Sequence, residues 1–398
     1  MNSRKLFVIH ILFLFLIFTS CNAESNDSDT KIKKLDNVYT NSNNYNSDFE
    51  QISNDISNSR QNAITKVVSN CSEAIVGINV TEVIEQRYSD WGDMFEYFFG
   101  GRSSRRYEVK GLGSGFIISQ DGYILTNHHV AGNASKIIIT LTNGEKYNAD
   151  IIGSDMVSDV CLLKINTNKK LPYLKFANSD DVIVGEWAIA FGNPFGLFDM
   201  NTKPSITVGV ISNKNVSFFQ SDNRDYRVYK DMLQTDAAIS SGNSGGPLLN
   251  SLGEVIGMNT VIFSTATNQK GAGSIGIGFA VPINRVRNII DIIKSGKKIE
   301  RNIYTGMEVD AITPEIARYY QLSKDNGIYV NRIYRNTAAD ESGIEPGDII
   351  TAINGEPINN SDSFYMAVGD AMVGDKLKVE VLRGEKKSTH TLVIRKER

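Results

Sequence analysis

Gly242-Asn243-Ser244-Gly245-Gly246-Pro247 is the stretch on which the reading of this 398-residue chain turns. Glycines on both sides of one serine let the backbone make a tight, exposed turn. Such a turn can aim backbone amides of Gly242-Asn243-Ser244, those of Gly242 and Ser244 foremost, at a single point where negative charge develops. Glycine-rich loops also cradle phosphates, but no P-loop lysine follows this one and no Rossmann unit surrounds it.

A serine nucleophile needs a base, and the chain has only 4 histidines, so the search is short. His10 lies in an apolar leader and His390 in a separate C-terminal unit. That leaves Thr126-Asn127-His128-His129-Val130, read as the end of a strand. Strand neighbours point to opposite faces, so one of the two histidines addresses Ser244. The base in turn needs a carboxylate to hold its tautomer. Asp159, leading into the apolar run Val160-Cys-Leu-Leu163, is the candidate. The order His, Asp, Ser is that of chymotrypsin rather than of subtilisins or α/β-hydrolases. Around these residues, β-rich runs such as Lys136-Ile-Ile-Ile-Thr-Leu141 alternate with turns at Asp121-Gly122 and Asn143-Gly144. The expected fold is mainly β, a chymotrypsin-like double barrel over residues 63–296. Ile283, Val286, Ile289, Ile290 and Ile293 add one helix at its end.

The blocks Gly113-Ser-Gly-Phe-Ile-Ile-Ser119, Thr126-Asn-His-His-Val130, Ser158-Asp159, Gln234-Thr-Asp-Ala-Ala-Ile239, Gly242-Asn-Ser-Gly-Gly-Pro-Leu248 and Gly276-Ile-Gly-Phe-Ala-Val-Pro282 together resemble the HtrA/Deg family of extracytoplasmic serine proteases. By that resemblance His129 is the base, and His128 stands where the family usually has Asn. Ser240-Ser241 also departs from the usual pair ahead of the nucleophile. The resemblance implies a triad of His129, Asp159 and Ser244, no cofactor, no metal, and a homotrimer acting on unfolded or misfolded envelope proteins. In chymotrypsin-like enzymes the base of the first specificity pocket lies six residues before the nucleophile, here Ala238. An alanine cannot select Arg or Lys, and Ile239, Val261 and Ile262 narrow the pocket further, so cleavage after Val or Ala is expected. Asn243 replaces the Asp that pairs with a new N-terminus in activated zymogens, so control is expected from the loops 86–110 and 217–230 instead. The first carries the aromatic cluster Phe95, Tyr97, Phe98 and Phe99, which also suits self-association.

Residues 297–398 resemble one PDZ domain, through Gly327-Ile-Tyr-Val330, Gly343-Ile-Glu-Pro-Gly-Asp-Ile-Ile350 and Asn354-Gly355. The resemblance implies a peptide added at a sheet edge, its terminal carboxylate held by the amides of Tyr304-Thr305-Gly306-Met307. Thr305 departs from the usual Leu or Ile, and 361–373 is expected to be the helix lining the groove. Two other readings remain open at this stage. One is a catalytically idle chaperone or peptide-binding scaffold, and the other a regulated, site-specific protease in envelope stress signalling.

The N-terminus is read as an address. Two positive charges precede Leu6 to Phe18, apolar but for His10. A run this short falls below the roughly 20 residues a spanning helix needs and fits a secretory leader. Thr19-Ser20-Cys21 resembles the lipobox of bacterial lipoproteins, so Cys21 is the expected lipid anchor, in the periplasm. Residues 22–60 hold 9 Asn, 7 Ser and 5 Asp, so 22–62 reads as a disordered tether. A net charge of −3 gives no basic excess for phosphates, which excludes nucleic acid as the expected partner. Cys71 and Cys161 read as small core residues.

Overall fold

Short apolar runs bounded by turns build two closed antiparallel barrels. The computed structural model describes residues 47–86, 105–193, 203–221, 226–240, 242–262, 276–322 and 327–396. The first barrel takes β1 (Ile75–Gln86), β2 (Arg105–Ile117), β3 (Tyr123–Thr126), β4 (Lys136–Leu141), β5 (Lys146–Asp155) and β6 (Val160–Ile165), closed in the order β1-β2-β3-β6-β5-β4. The second takes β7 (Trp187–Gly192), β8 (Ser205–Ser221), β9 (Tyr226–Thr235), β10 (Pro247–Leu249), β11 (Val255–Ile262) and β12 (Gly278–Pro282), in the order β10-β11-β12-β9-β8-β7.

The period-2 geometry of a strand explains why β6 and β7 are apolar on both faces. Cys161, Leu163 and Ile165 fill the first barrel, while Val160 and Leu162 point into a second core shared by the barrels. On β7, Ala188 and Ala190 fill the second barrel, and Ile189 and Phe191 join that shared core. An asparagine- and serine-rich helix, α1 (Ser47–Ser59), belongs to a unit separate from the one that begins at Gln61. It corrects the reading of 22–62 as structureless throughout. Phe49, Ile52 and Ile56 recur at helical spacing, although Ile56 stays exposed. α2 (Ala63–Cys71), started by a capping box at Asn62, sends Val67 and Cys71 into the shared core. α3 is a single turn, His128–Ala131. α4 (Ile283–Lys294) lays Ile283, Val286, Ile289 and Ile290 on the same shared core. Cys71 and Cys161 are buried free thiols, and burial pushes the Cys161 thiol up to about 12.

The C-terminal part has its own core of Ile328, Val330, Ile350, Phe364, Val379 and neighbours. Its strands are β13 (Ile303–Tyr304), β14 (Met307–Ala311), β15 (Ile328–Ile333), β16 (Ile349–Ile353), β17 (Glu356–Pro357), β18 (Lys376–Arg383), β19 (Lys386–Val393) and β20 (Arg395–Lys396). The main sheet runs β14-β15-β16-β18-β19, which leaves β14 at an edge. Its helices are α5 (Pro314–Tyr319), α6 (Ala338–Ser342) and α7 (Ser361–Gly369). α7 ends four residues before the expected 373, because Asp370 caps it and turns its carboxylate onto Arg285 of α4.

The described residues of the two expected loops, 86–110 and 217–230, are strand. Residues 81–86 and 105–110 pair as an extension of β1 and β2, and 218–221 pairs with 226–229 as the end of the β8–β9 hairpin. The aromatic and β-branched residues of Val216-Ser-Phe-Phe219 and Tyr226-Arg-Val-Tyr229 account for the second. Residues 87–104, with the aromatic cluster, lie outside the described residues, as do the leader and Cys21.

Candidate active site

The two barrels meet where Ser114 of β2 reaches the glycine-rich turn. Its amide donates to the Ser244 carbonyl at 3.0 Å, and its hydroxyl to the Gly242 carbonyl at 2.5 Å. Gly245 lies in the same turn with φ +84°, and a Cβ there would sit 2.2 Å from Oγ1 of Thr126. Only glycine lets the turn approach the end of β3 this closely.

β3 delivers the histidine pair, but not as strand residues. Asn127 caps α3, so His128 and His129 are successive residues of a helical turn. The separation of the two rings therefore comes from helical rotation, not from strand alternation as the sequence suggested. His128 is buried, its Nδ1 2.7 Å from Oγ of Ser154, and burial pulls its pKa down. Gly132 makes room for that ring, since a Cβ there would lie 2.1 Å from the His128 Nδ1. His129 keeps about a third of its side chain exposed, and its Nδ1 lies 2.8 Å from Oδ2 and 3.0 Å from Oδ1 of Asp159.

Asp159 is not the first residue of β6 but the last of the preceding turn, in the left-handed region at φ +58°. Its carboxylate is fully buried. Oδ1 accepts the backbone N–H of His129 at 3.0 Å, and Oδ2 accepts Oγ1–H of Thr260 at 2.6 Å. Asn127 Nδ2 donates to the Asp159 carbonyl at 3.0 Å. Burial alone would raise the carboxyl pKa. The His129 charge and these hydrogen bonds outweigh it and hold the group below the usual carboxylate range.

Ser244, His129 and Gly242 line one cleft of about 200 Å³ with Val80, Val109 and Leu112 of the β1–β2 ribbon. The Ser244 hydroxyl donates to the Thr260 carbonyl at 3.0 Å. The Asn243 carbonyl accepts the N–H of Gly246 at 3.0 Å, which turns the Ser244 N–H of the same trans peptide the opposite way. The Asn243 amide is taken by the Ser240 carbonyl, and its Oδ1 is buried with no partner. Neither Ala238 nor Ile239 lines this cleft. Ile239 is fully buried in the core of the second barrel against Gly278. Ala238 is exposed, its carbonyl accepting from Thr207. Val261 and Ile262 have side chains outside the described residues.

Thr260 escaped the sequence reading, although Asn259-Thr260 is a polar pair inside an otherwise apolar strand. That was the available signal. In the C-terminal part, the Thr305 and Gly306 carbonyls accept the amides of Ala339 at 2.9 Å and Tyr334 at 2.8 Å. Gly306 has φ +81°, and a Cβ on it would lie 2.1 Å from Thr337. The Thr305 hydroxyl accepts the Met307 amide at 3.5 Å, one of the amides the sequence reading assigned to a carboxylate.

Residues 113–258 match the trypsin-like peptidase domain, and residues 274–394 match the PDZ domain. A "Probable periplasmic serine endoprotease DegP-like" of Chlamydia trachomatis is 39% identical over 298 residues, covering 73% of this chain and 56% of that one. The chain thus spans about half the length of that relative. A protein of the same description from Pseudomonas putida (strain GB-1) is 35% identical over 341 residues, covering 81% of this chain and 68% of its own. The solved structure "HtrA-type protease AlgW with decapeptide" is similar at 32% identity and a TM-score of 0.62, covering 84% of this chain and 99% of that one.

Proposed function

The chain belongs to the HtrA/Deg family of serine proteases, and from that premise we propose that it is a serine endopeptidase acting on unfolded or misfolded proteins of the cell envelope. The observation that carries the reading is the buried Asp159 carboxylate 2.8 Å from Nδ1 of His129, on the wall of the cleft that His129 shares with Ser244. Ser244 attacks a peptide carbonyl while His129 takes its proton and later returns it to the leaving amine. Asp159 fixes the tautomer and offsets the imidazolium charge. The outward Ser244 N–H, with that of Gly242, receives the oxyanion, and Asn243 shapes the turn. Before attack the Ser244 hydroxyl must leave the Thr260 carbonyl and turn to His129, a rotation about one side-chain bond.

Ala238, with Val261 and Ile262, restricts the first specificity pocket to Val or Ala. The domain bounds proposed are 63–296 for the protease and 297–398 for the PDZ domain. In the latter, Tyr304, Thr305, Gly306 and Met307 receive the C-terminus of a peptide laid along β14. A homotrimer in the periplasm, tethered through a lipid on Cys21, completes the proposal. The contact between Ser244 and Thr260 also favours a second reading, a regulated protease at rest until peptide binds. Incubation with casein separates these readings. Wild type should degrade it and Ser244→Ala should not, the loss reaching about 10⁶-fold in turnover. Equal persistence of casein with both chains, even after a C-terminal peptide is added, would leave only the scaffold.

A further inference from the structure

Arg227 of β9 stands behind the triad carboxylate, and the mechanism above gives it no task. Its Nε is 3.9 Å from Oδ1 of Asp159, beyond hydrogen-bond range, and is buried with no acceptor among the described residues, while the side chain hydrogen-bonds that of Tyr229. The flanking residues fix its position. The Tyr226 hydroxyl donates to the Arg301 carbonyl at 3.1 Å, and the Val228 amide donates at 2.9 Å to the carbonyl of Val157, two residues before Asp159. Arg285 donates to the Val228 carbonyl at 3.2 Å. Oδ1 itself accepts the backbone N–H and ring Nδ1 of His129, both at 3.0 Å.

We propose that Arg227 is a positioning residue that competes with the His129 imidazole for Oδ1 of Asp159, holding the acid–base pair below its full strength. A carboxylate stabilises a neighbouring imidazolium through its uncompensated charge. A guanidinium at this distance offsets part of that charge, more so in a buried site than in water. Among the described residues, the cations within 4.0 Å of Asp159 are His129 and Arg227. The other charged or titratable groups facing the acid–base pair, among the described residues, are His128 of α3, Tyr229 of β9, Cys161 of β6 and Asp155 of β5. Asp155 is taken by Arg301, and beyond it Arg285 takes Asp370. Arg227 is therefore the charge whose removal frees the carboxylate for the imidazole.

The inference rests on the peptidase reading, so its test includes a readout that needs no turnover. In the Ser244→Ala chain, Arg227→Gln should move the low-field proton resonance of the His129–Asp159 hydrogen bond to lower field, and Arg227→Lys should return it. In the chain with Ser244, Arg227→Gln should move the acid limb of kcat/KM up by about half to one pH unit, and Lys should restore it. A Gln variant with unchanged melting temperature and an unmoved resonance would overturn the proposal, as would a shift to higher field. If the Gln variant loses its melting transition, Arg227→Met keeps the stem without the charge and carries the same comparison. A moved resonance in a chain that cleaves no peptide would sustain the role of Arg227 and defeat the peptidase reading instead.

Discussion

The two halves of the site are prepared to different degrees. The half built on the first barrel is closed. The Asp159 carboxylate has two donors from His129 and one from Thr260, and its carbonyl has Asn127. The half built on the second barrel is held by its backbone but open at its working atoms. Ser114 and Gly246 fix the carbonyls of the turn, while the Ser244 hydroxyl rests on the Thr260 carbonyl. Burial explains the contrast. A buried carboxylate must satisfy its lone pairs within the protein, so its surroundings are complete without substrate. The nucleophile and oxyanion donors must keep positions vacant for the carbonyl they receive. Thr260 joins the halves, its side chain serving the acid and its carbonyl the nucleophile.

The largest effect should come from breaking the closed half at its centre. Asp159→Asn keeps the shape but offers an amide where the imidazole N–H needs an acceptor, so kcat should fall about 10⁴-fold with little change in KM. Steady-state kinetics on a Val- or Ala-containing peptide measure this, and a drop under tenfold would mean that the closed half is scenery. A second break lies behind the same turn. Asp155 is buried, accepts Ser158 at 2.6 Å, and pairs with Arg301 at 2.6 Å. Arg301→Met leaves that carboxylate unpaired and should cost about 3–5 kcal/mol in urea unfolding. The pH dependence has a definite sign. Although burial acts to raise its pKa, Arg301 and Ser158 hold Asp155 below its ordinary value. Its contribution is therefore complete above the unfolded value of roughly 3.9 and is lost as pH falls through the lower folded value. The gap between wild type and Arg301→Met should be widest near neutrality and shrink in acid.

The same contrast marks what could be read from the sequence. The barrels were legible because strand alternation and glycine turns are local signals, and β6 carries apolar residues on both faces since each face meets a core. Ser244 and Asp159 were legible through motif and chain order. The mode by which His129 is presented was not, because one turn of helix after Asn127 leaves no periodicity in so short a block. Thr260 and Arg227 were hidden for another reason. They lie 101 and 68 residues from Asp159 in the chain, and barrel closure, not any local pattern, brings them to it. The pocket reading failed at Ile239 because the segment after β9 buries Ala237 and Ile239 and exposes Ala238, which sends the Ile239 side chain inward, against Gly278, and not toward the cleft.

The smallest predicted effect sharpens the comparison most, because it touches both halves without removing a triad member. Thr260→Val deletes the donor to Oδ2 of Asp159 and keeps the carbonyl on which Ser244 rests. One hydrogen bond to a charged group is worth about 1.5–3 kcal/mol, and part of that loss should appear as a fall of about tenfold in kcat. Asp159 also loses one of the contacts that keep its pKa low, so the stability it contributes should begin to fail at a higher pH on acidification than in wild type. Thermal unfolding of both chains from neutrality down to acid reads that displacement directly. If neither kcat nor the acid transition moves, Thr260 serves the nucleophile through its carbonyl alone. If the transition moves with kcat, the strut from the second barrel is part of what closes the first.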